Sequence, residues 1–163
     1  GHVGGRAVAA RAGGPLLVGV TGHGLIAALG AGPDMVKIGR IEAVESGMVP
    51  DAASAGEAAV ALVDRGARLA VVTDGAEEVA AADAGTTWRL NVPRIDALNP
   101  VGSGDSFNAA ISLALMDGCD IPTALRKGVA AGSANALTKS AASLDTHVAA
   151  ALEVDVAVTS SER

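Results

Sequence analysis

The 163-residue chain has no tyrosine, one tryptophan, one phenylalanine and one cysteine, so little in it can stack on an unpaired base. Lys plus Arg number 12 against 18 Asp plus Glu, a formal charge of -6. Together these argue against a nucleic-acid-binding surface. The single cysteine, Cys119, rules out an intrachain disulfide and fits a reducing cytoplasm. It lies in Asp117-Gly118-Cys119-Asp120, a turn between two helices, where it reads as incidental. Gly, Asp, Lys and Arg interrupt every apolar run before it could span a bilayer, so no membrane partner is expected. The opening Gly1-His2-Val3 does not read as a signal peptide. There is also no internal repeat, no heptad, no Gly-x-x-x-x-Gly-Lys-Ser/Thr loop and no Cys/His cluster for a structural metal.

Half of the residues are hydrophobic, which with so few rings means a core of Ala, Val and Leu. Such a core suits an α/β fold with a parallel sheet buried on both faces. The length suffices for one core-bearing domain, expected as a single α/β domain over 1–163. Residues 1–14 read as a weakly structured start and 159–163 as a frayed tail.

Short apolar runs predict strands at Leu16–Val20, Met35–Ile38 and Arg68–Thr73, with a helix over Leu25–Ala31 that Gly32-Pro33 stops. Strand, helix, strand in that order implies a right-handed parallel crossover. Apolar residues at helical spacing predict a helix over Asp51–Arg65, ended by Gly66. Glu78–Ala82 and Thr86–Leu90, joined by Asp83-Ala84-Gly85, read as an antiparallel hairpin with Trp88 as its apolar anchor. Helices follow at 104–116, 122–139 and Asp145–Leu152, the second with Pro122 near its first turn. Val154–Val158 alternates apolar and polar like an edge strand.

The most informative stretch is Asn99-Pro100-Val101-Gly102-Ser103-Gly104-Asp105-Ser106-Phe107. A small-residue turn opening into a helix lets backbone N–H groups converge on an anion, and the helix dipole adds positive potential there. Asp105 stands where a carboxylate would repel an incoming phosphate. That placement makes sense if it takes a proton from an attacking hydroxyl. Read plainly, the same residues are a glycine-rich helix start with an acid in its first turn, which stabilises any helix.

This stretch resembles the C-terminal signature of the PfkB, or ribokinase-like, carbohydrate kinases. Its Asn-Pro-Val-Gly form is most similar to the 1-phosphofructokinase and tagatose-6-phosphate kinase branch. The resemblance implies a Rossmann-like parallel sheet flanked by helices, with a C-terminal hairpin and edge strand. It implies phosphoryl transfer from ATP, with Mg, to a hydroxyl of a sugar or sugar phosphate. Asp105 would be the base, and Gly102, Ser103 and Gly104 the anion hole.

Other segments are similar to the family at single positions. After Lys37 the family has Asn-x-x-Glu, which organises magnesium through water; here Glu42 is retained and Gly39 replaces the Asn. Its Ser/Thr-x-Gly-x-x-Gly phosphate element is matched by Thr73 and Gly75, with Glu78 in the last Gly position. Gly128 to Ala136 resembles the helix whose small residues admit the purine, which makes Asn135 the candidate nucleotide contact. As plain structure, Glu42 is a first-turn acid, Asp74-Gly75 a β-turn and Asn135 a polar helix residue.

The resemblance corresponds to the C-terminal half of such a kinase. The N-terminal half and lid, with most sugar contacts, are absent from this stretch. A sheet cut there exposes an unpaired edge, so a homo-oligomer or a missing N-terminal half is the expected partner. A non-catalytic nucleotide-binding module, or pseudokinase, and an interaction domain that inherited the fold remain the other readings.

Overall fold

The structure is a computed structural model and describes residues 17–19, 23–51, 53–140 and 143–163. The expected weak start at 1–14 lies outside them. Contacts divide the chain into two compact units, Gly1–Arg89 with Ser160–Arg163, and Leu90–Thr159.

In the first unit β1 (Leu17–Gly19), β2 (Met35–Gly39) and β3 (Leu69–Asp74) run parallel, with Val18 opposite Val36 and Val36 opposite Ala70. The crossovers are α1 (His23–Gly30) between β1 and β2, and α2 (Arg40–Glu45) with α3 (Ala55–Asp64) between β2 and β3. β4 (Glu78–Ala82) turns back antiparallel on β3, and β5 (Thr86–Asn91) completes the hairpin. With β6 (Val158–Glu162), the sheet order follows chain order from β1 to β6.

Apolar burial explains the choice of strand. Val36, Ile38, Ala70, Val72, Ala80 and Ala82 form one buried cluster with Leu25, Leu29 and Leu62 of the crossover helices. Val71 and Ala81, which alternate to the other face, are buried as well, so β3 and β4 read as continuous apolar runs. Trp88 is also buried, as expected of the hairpin's anchor.

The second unit holds α4 (Ser103–Met116), α5 (Ile121–Ala136) and α6 (Thr146–Glu153), with α5 packed against both of the others. α5 stops three residues short of the expected end, where Leu137 N and Thr138 N bond only three residues back, to Ala134 O at 3.2 Å and Asn135 O at 3.0 Å, tightening the last turn. α3 starts later than expected. Ser54 caps it, accepting from Glu57 N at 3.2 Å while Glu57 Oε2 accepts from Ser54 N at 2.8 Å.

The expected edge strand at Val154–Val158 and tail at 159–163 need correction. Val154 caps the C-terminus of α6, Val156 is buried in the turn that follows, and the strand is Val158–Glu162. Apolar alternation missed it because its anchors are polar. Thr87 Oγ1 donates to the Ser161 carbonyl at 3.3 Å, Arg163 N donates to Gly85 O at 3.0 Å, and the Arg163 guanidinium pairs with Asp64.

Asp120 caps α5, its Oδ1 accepting from Thr123 N at 2.9 Å, and hydrogen bonding from the Thr123 side chain first and its backbone N–H second holds its carboxyl below the ordinary aspartate value. A lowered native value means the cap's contribution is complete above the ordinary range and is lost as pH falls through the native value. Urea titration should therefore show Asp120→Ala less stable than the parent at about pH 7, with the gap narrowing at about pH 3.

Candidate functional site

The loop before α4 is built from local hydrogen bonds. Asn99 Oδ1 accepts from Val101 N at 3.0 Å, an Asx turn, and Pro100 O accepts from Ser103 N at 3.1 Å. Gly102 is the N-cap residue, with φ 86° and ψ -4°. That left-handed conformation suits glycine, and glycine brings no side chain to cap the helix. The helix start is therefore without a side-chain cap. The amides of Gly104 and Asp105 are orphan donors of the first turn, at the positive end of a 14-residue helix. Asp105 is exposed there, and its carboxylate makes no hydrogen bond or ion pair with any described residue. An exposed, unengaged carboxylate beside anion-directed amides can accept a proton from a bound hydroxyl.

Gly102, Ser103, Gly104, Asp105 and Asn135 come together in the second unit. Asn135 is fully buried. Its Nδ2 donates to Val101 O at 2.9 Å and to Ser103 Oγ at 3.2 Å, and its Oδ1 accepts from Ser106 Oγ at 3.3 Å. The small residues around it admit α4. A Cβ on Gly128 would stand 3.1 Å from the Phe107 ring, and one on Gly132 the same distance from Ser103 O. Sequence alone gives Ser106 and Phe107 no role; tertiary packing sets Phe107 against Gly128 and Ser106 on the Asn135 amide.

Thr73, Gly75 and Glu42 lie in the first unit, near the C-terminal ends of β2 and β3. Thr73 is opposite Gly39 in the sheet register. Gly75, at φ 57°, sits in the turn that Glu77 N closes on Asp74 O at 3.0 Å. Glu42 is exposed, and its Oε2 accepts from Gly39 N at 3.0 Å, which ties the carboxylate to the start of its own helix. Its second oxygen has no partner among the described residues. One or two carboxylates suffice for a magnesium that keeps its waters, so Glu42 fits that role by donor chemistry.

Sequence reasoning missed two arginines here. Arg40 Nε donates to Asp74 Oδ2 at 2.9 Å, and both side chains are 29 % exposed. Arg89 donates to Glu78 Oε2 from Nε at 3.1 Å and from Nη2 at 2.6 Å. Glu78, the acid that stands in a family glycine position, is thus paired across the hairpin, and the bond raises the guanidinium of Arg89 above its ordinary value. Asp74 and Glu78 face each other in the β3–β4 register, so the two pairs balance adjacent carboxylates. Spacing in sequence could not reveal partners 34 and 11 residues away.

A groove of about 600 Å³ also opens beside α3 and β5, lined by Pro50, Val60, Ala61 and Trp88 among others. None of the sequence-predicted site residues lines it.

The family model described as pfkB family carbohydrate kinase matches residues 7–147. Among solved structures, a Staphylococcus aureus protein provisionally assigned as a phosphofructokinase is 23% identical, with a TM-score of 0.81 over 91% of this chain and 48% of its own. Phosphofructokinase-2 from Escherichia coli, crystallised with potassium, is 26% identical, with a TM-score of 0.78 over 85% of this chain and 46% of its own. A carbohydrate kinase from Agrobacterium tumefaciens is 23% identical, with a TM-score of 0.67 over 89% and 48%. The chain thus spans about half the length of the solved structures it matches, and the ribokinase-like sheet flanked by helices is the fold it shares with them.

The Arg40–Asp74 pair is half-buried, so its worth is modest. A double-mutant cycle of Arg40→Met with Asp74→Asn, read by urea unfolding, should return a coupling of about 0.5–1 kcal/mol that shrinks in high salt.

Proposed function

Because the chain belongs to the pfkB family of carbohydrate kinases, we propose that it carries the nucleotide-binding and catalytic half of an enzyme that moves the γ-phosphoryl group of ATP to a hydroxyl of a sugar or sugar phosphate. The observation that carries this reading is the start of α4. Orphan amides and an exposed Asp105, without a partner among the described residues, occupy one helical turn.

In the proposed reaction Asp105 takes the proton from the sugar hydroxyl, and the freed oxygen attacks the γ-phosphorus in line as the bond to ADP breaks. The amides of Gly102, Gly104 and Asp105 stabilise the charge on the transferring group, where preorganised donors act most strongly, while Ser103 N is held by Pro100 O. Thr73 and Gly75 are assigned to the nucleotide phosphates, and Asn135 to the nucleotide side of the site. Glu42 is assigned to hydrated magnesium, which when bound would neutralise phosphate charge. Arg40 and Arg89 support the assignment of Thr73 and Gly75, because each offsets an acid that would otherwise repel a polyphosphate.

The partner is a second copy of this chain or an N-terminal half that brings the sugar contacts. β1 stands at the end of the sheet order, paired among described residues with β2, and offers an edge for either. The cytoplasm is the compartment proposed.

One observation favours a second reading, a nucleotide-binding module without turnover. Gly39 has no side chain to organise metal water, and the Glu42 carboxylate is tied to Gly39 N. ATP binding without transfer, even with a complementary N-terminal half supplied, would select it.

The first reading is tested by transfer from ATP to sugars and sugar phosphates with that half supplied. Asp105→Asn should lower turnover by about 10²- to 10⁴-fold and leave ATP affinity in place. Unchanged turnover in Asp105→Asn would refute the base.

A further inference from the structure

We propose that Asn135 is a positioning residue, whose buried amide fixes the Gly102–Asp105 turn in its phosphate-receiving form, and that it does not touch the nucleotide base. This rests on the reading of that turn as a phosphate site. An asparagine side chain has two N–H donors and a two-lone-pair acceptor. Here the Nδ2 group serves Val101 O and Ser103 Oγ, the Oδ1 atom serves Ser106 Oγ, and the residue is 0% exposed. All three partners belong to the turn or to the first helical turn after it.

The bond to Val101 O has a directional consequence. In a trans peptide the C=O and the following N–H point in opposite directions. Drawing the Val101 carbonyl down to buried Asn135 therefore turns the Gly102 N–H the other way, toward the side on which an anion would sit. The next bonds, to Ser103 Oγ and Ser106 Oγ, fix the helical turn that carries Gly104 and Asp105. The neighbouring residue extends the same support. Ala136 O accepts from Leu98 N at 2.7 Å and from Asn99 N at 3.0 Å, so the last turn of α5 holds the loop at both of its ends. Gly132 allows the approach, since a Cβ there would stand 3.1 Å from Ser103 O.

A base contact and a turn clamp make opposite predictions for two probes. Inorganic phosphate tests the turn alone, and adenosine tests the base site alone. Both are titrated into the full chain while backbone amides are followed by NMR. In the parent, phosphate should shift the amides of Gly102 to Asp105 saturably. Asn135→Ala, shown folded by its melting curve, should weaken phosphate by about 10-fold or more and leave adenosine affinity within about 2-fold. Ser106→Ala, which removes only one partner of the clamp, should weaken phosphate less than Asn135→Ala does.

Unaltered phosphate affinity in Asn135→Ala would overturn the proposal, as would a loss confined to adenosine. Should Asn135→Ala fail to fold, the side-chain amide resonances of Asn135 in the parent decide. Their response to phosphate and not to adenosine supports the clamp; a response to adenosine alone overturns it. If the parent's turn amides ignore phosphate altogether, the phosphate-site reading fails and takes the clamp with it. Failure in the variant comparison alone removes only the clamp.

Discussion

The start of α4 has backbone donors that neither a preceding turn of helix nor a capping side chain can satisfy, and much of the second unit is arranged around that condition. A left-handed Gly102 removes the usual cap, and the loop is instead tied from behind by α5. Close approach of the two helices is possible because α5 carries glycine where Phe107 and the Ser103 carbonyl press against it. The result is a set of N–H groups held by covalent geometry and buried hydrogen bonds with their outer side left open. Preorganisation of this kind is what makes a backbone anion site strong, since little has to move when charge arrives.

The first unit solves a different problem. β3 ends and β4 begins in a carboxylate, Asp74 and Glu78, in the element that resembles the family's phosphate element. Each is paired with an arginine, and the two pairs differ in setting: Arg40 and Asp74 are equally half-buried, whereas Arg89 is largely exposed. Pairing lets acids occupy these positions without leaving net negative charge beside Thr73 and Gly75. Gly39 is the more consequential departure from the family pattern. It leaves Glu42, the residue proposed for magnesium, without that polar neighbour, and the Glu42 carboxylate already accepts a hydrogen bond from the backbone of Gly39. Placing a side chain at this position would crowd that carboxylate, since a Cβ would stand 3.1 Å from Glu42 Oε2.

Much of the fold was legible because its signals are local. The runs around Val18, Val36 and Val71, the glycine after α3 and the hairpin at Asp83 each announce an element by composition, and each element forms there, α3 with a later start. β6 was missed because it is fixed by Arg163, Thr87 and the hairpin backbone, and an exposed strand held by polar contacts carries no apolar alternation. The turn at 102–105 was visible as a motif, since glycine spacing and an acid speak for themselves. What lies beneath it was not. A helix of small residues can receive a base or a neighbouring helix equally well, and only the packing of Phe107 and the three bonds of Asn135 show which side faces α4. Ion pairs such as Arg40 with Asp74 depend on strand register, which sequence spacing does not encode.

If the proposed function holds, this chain binds a nucleotide through the open turn at the start of α4. Calorimetric titration of the 163-residue chain with ATP, with and without magnesium, beside Gly104→Glu tests it most directly. The parent should bind saturably and Gly104→Glu should not, with the melting curve of that variant showing it folded. Equal binding by the two proteins, or no binding by the parent, would contradict it.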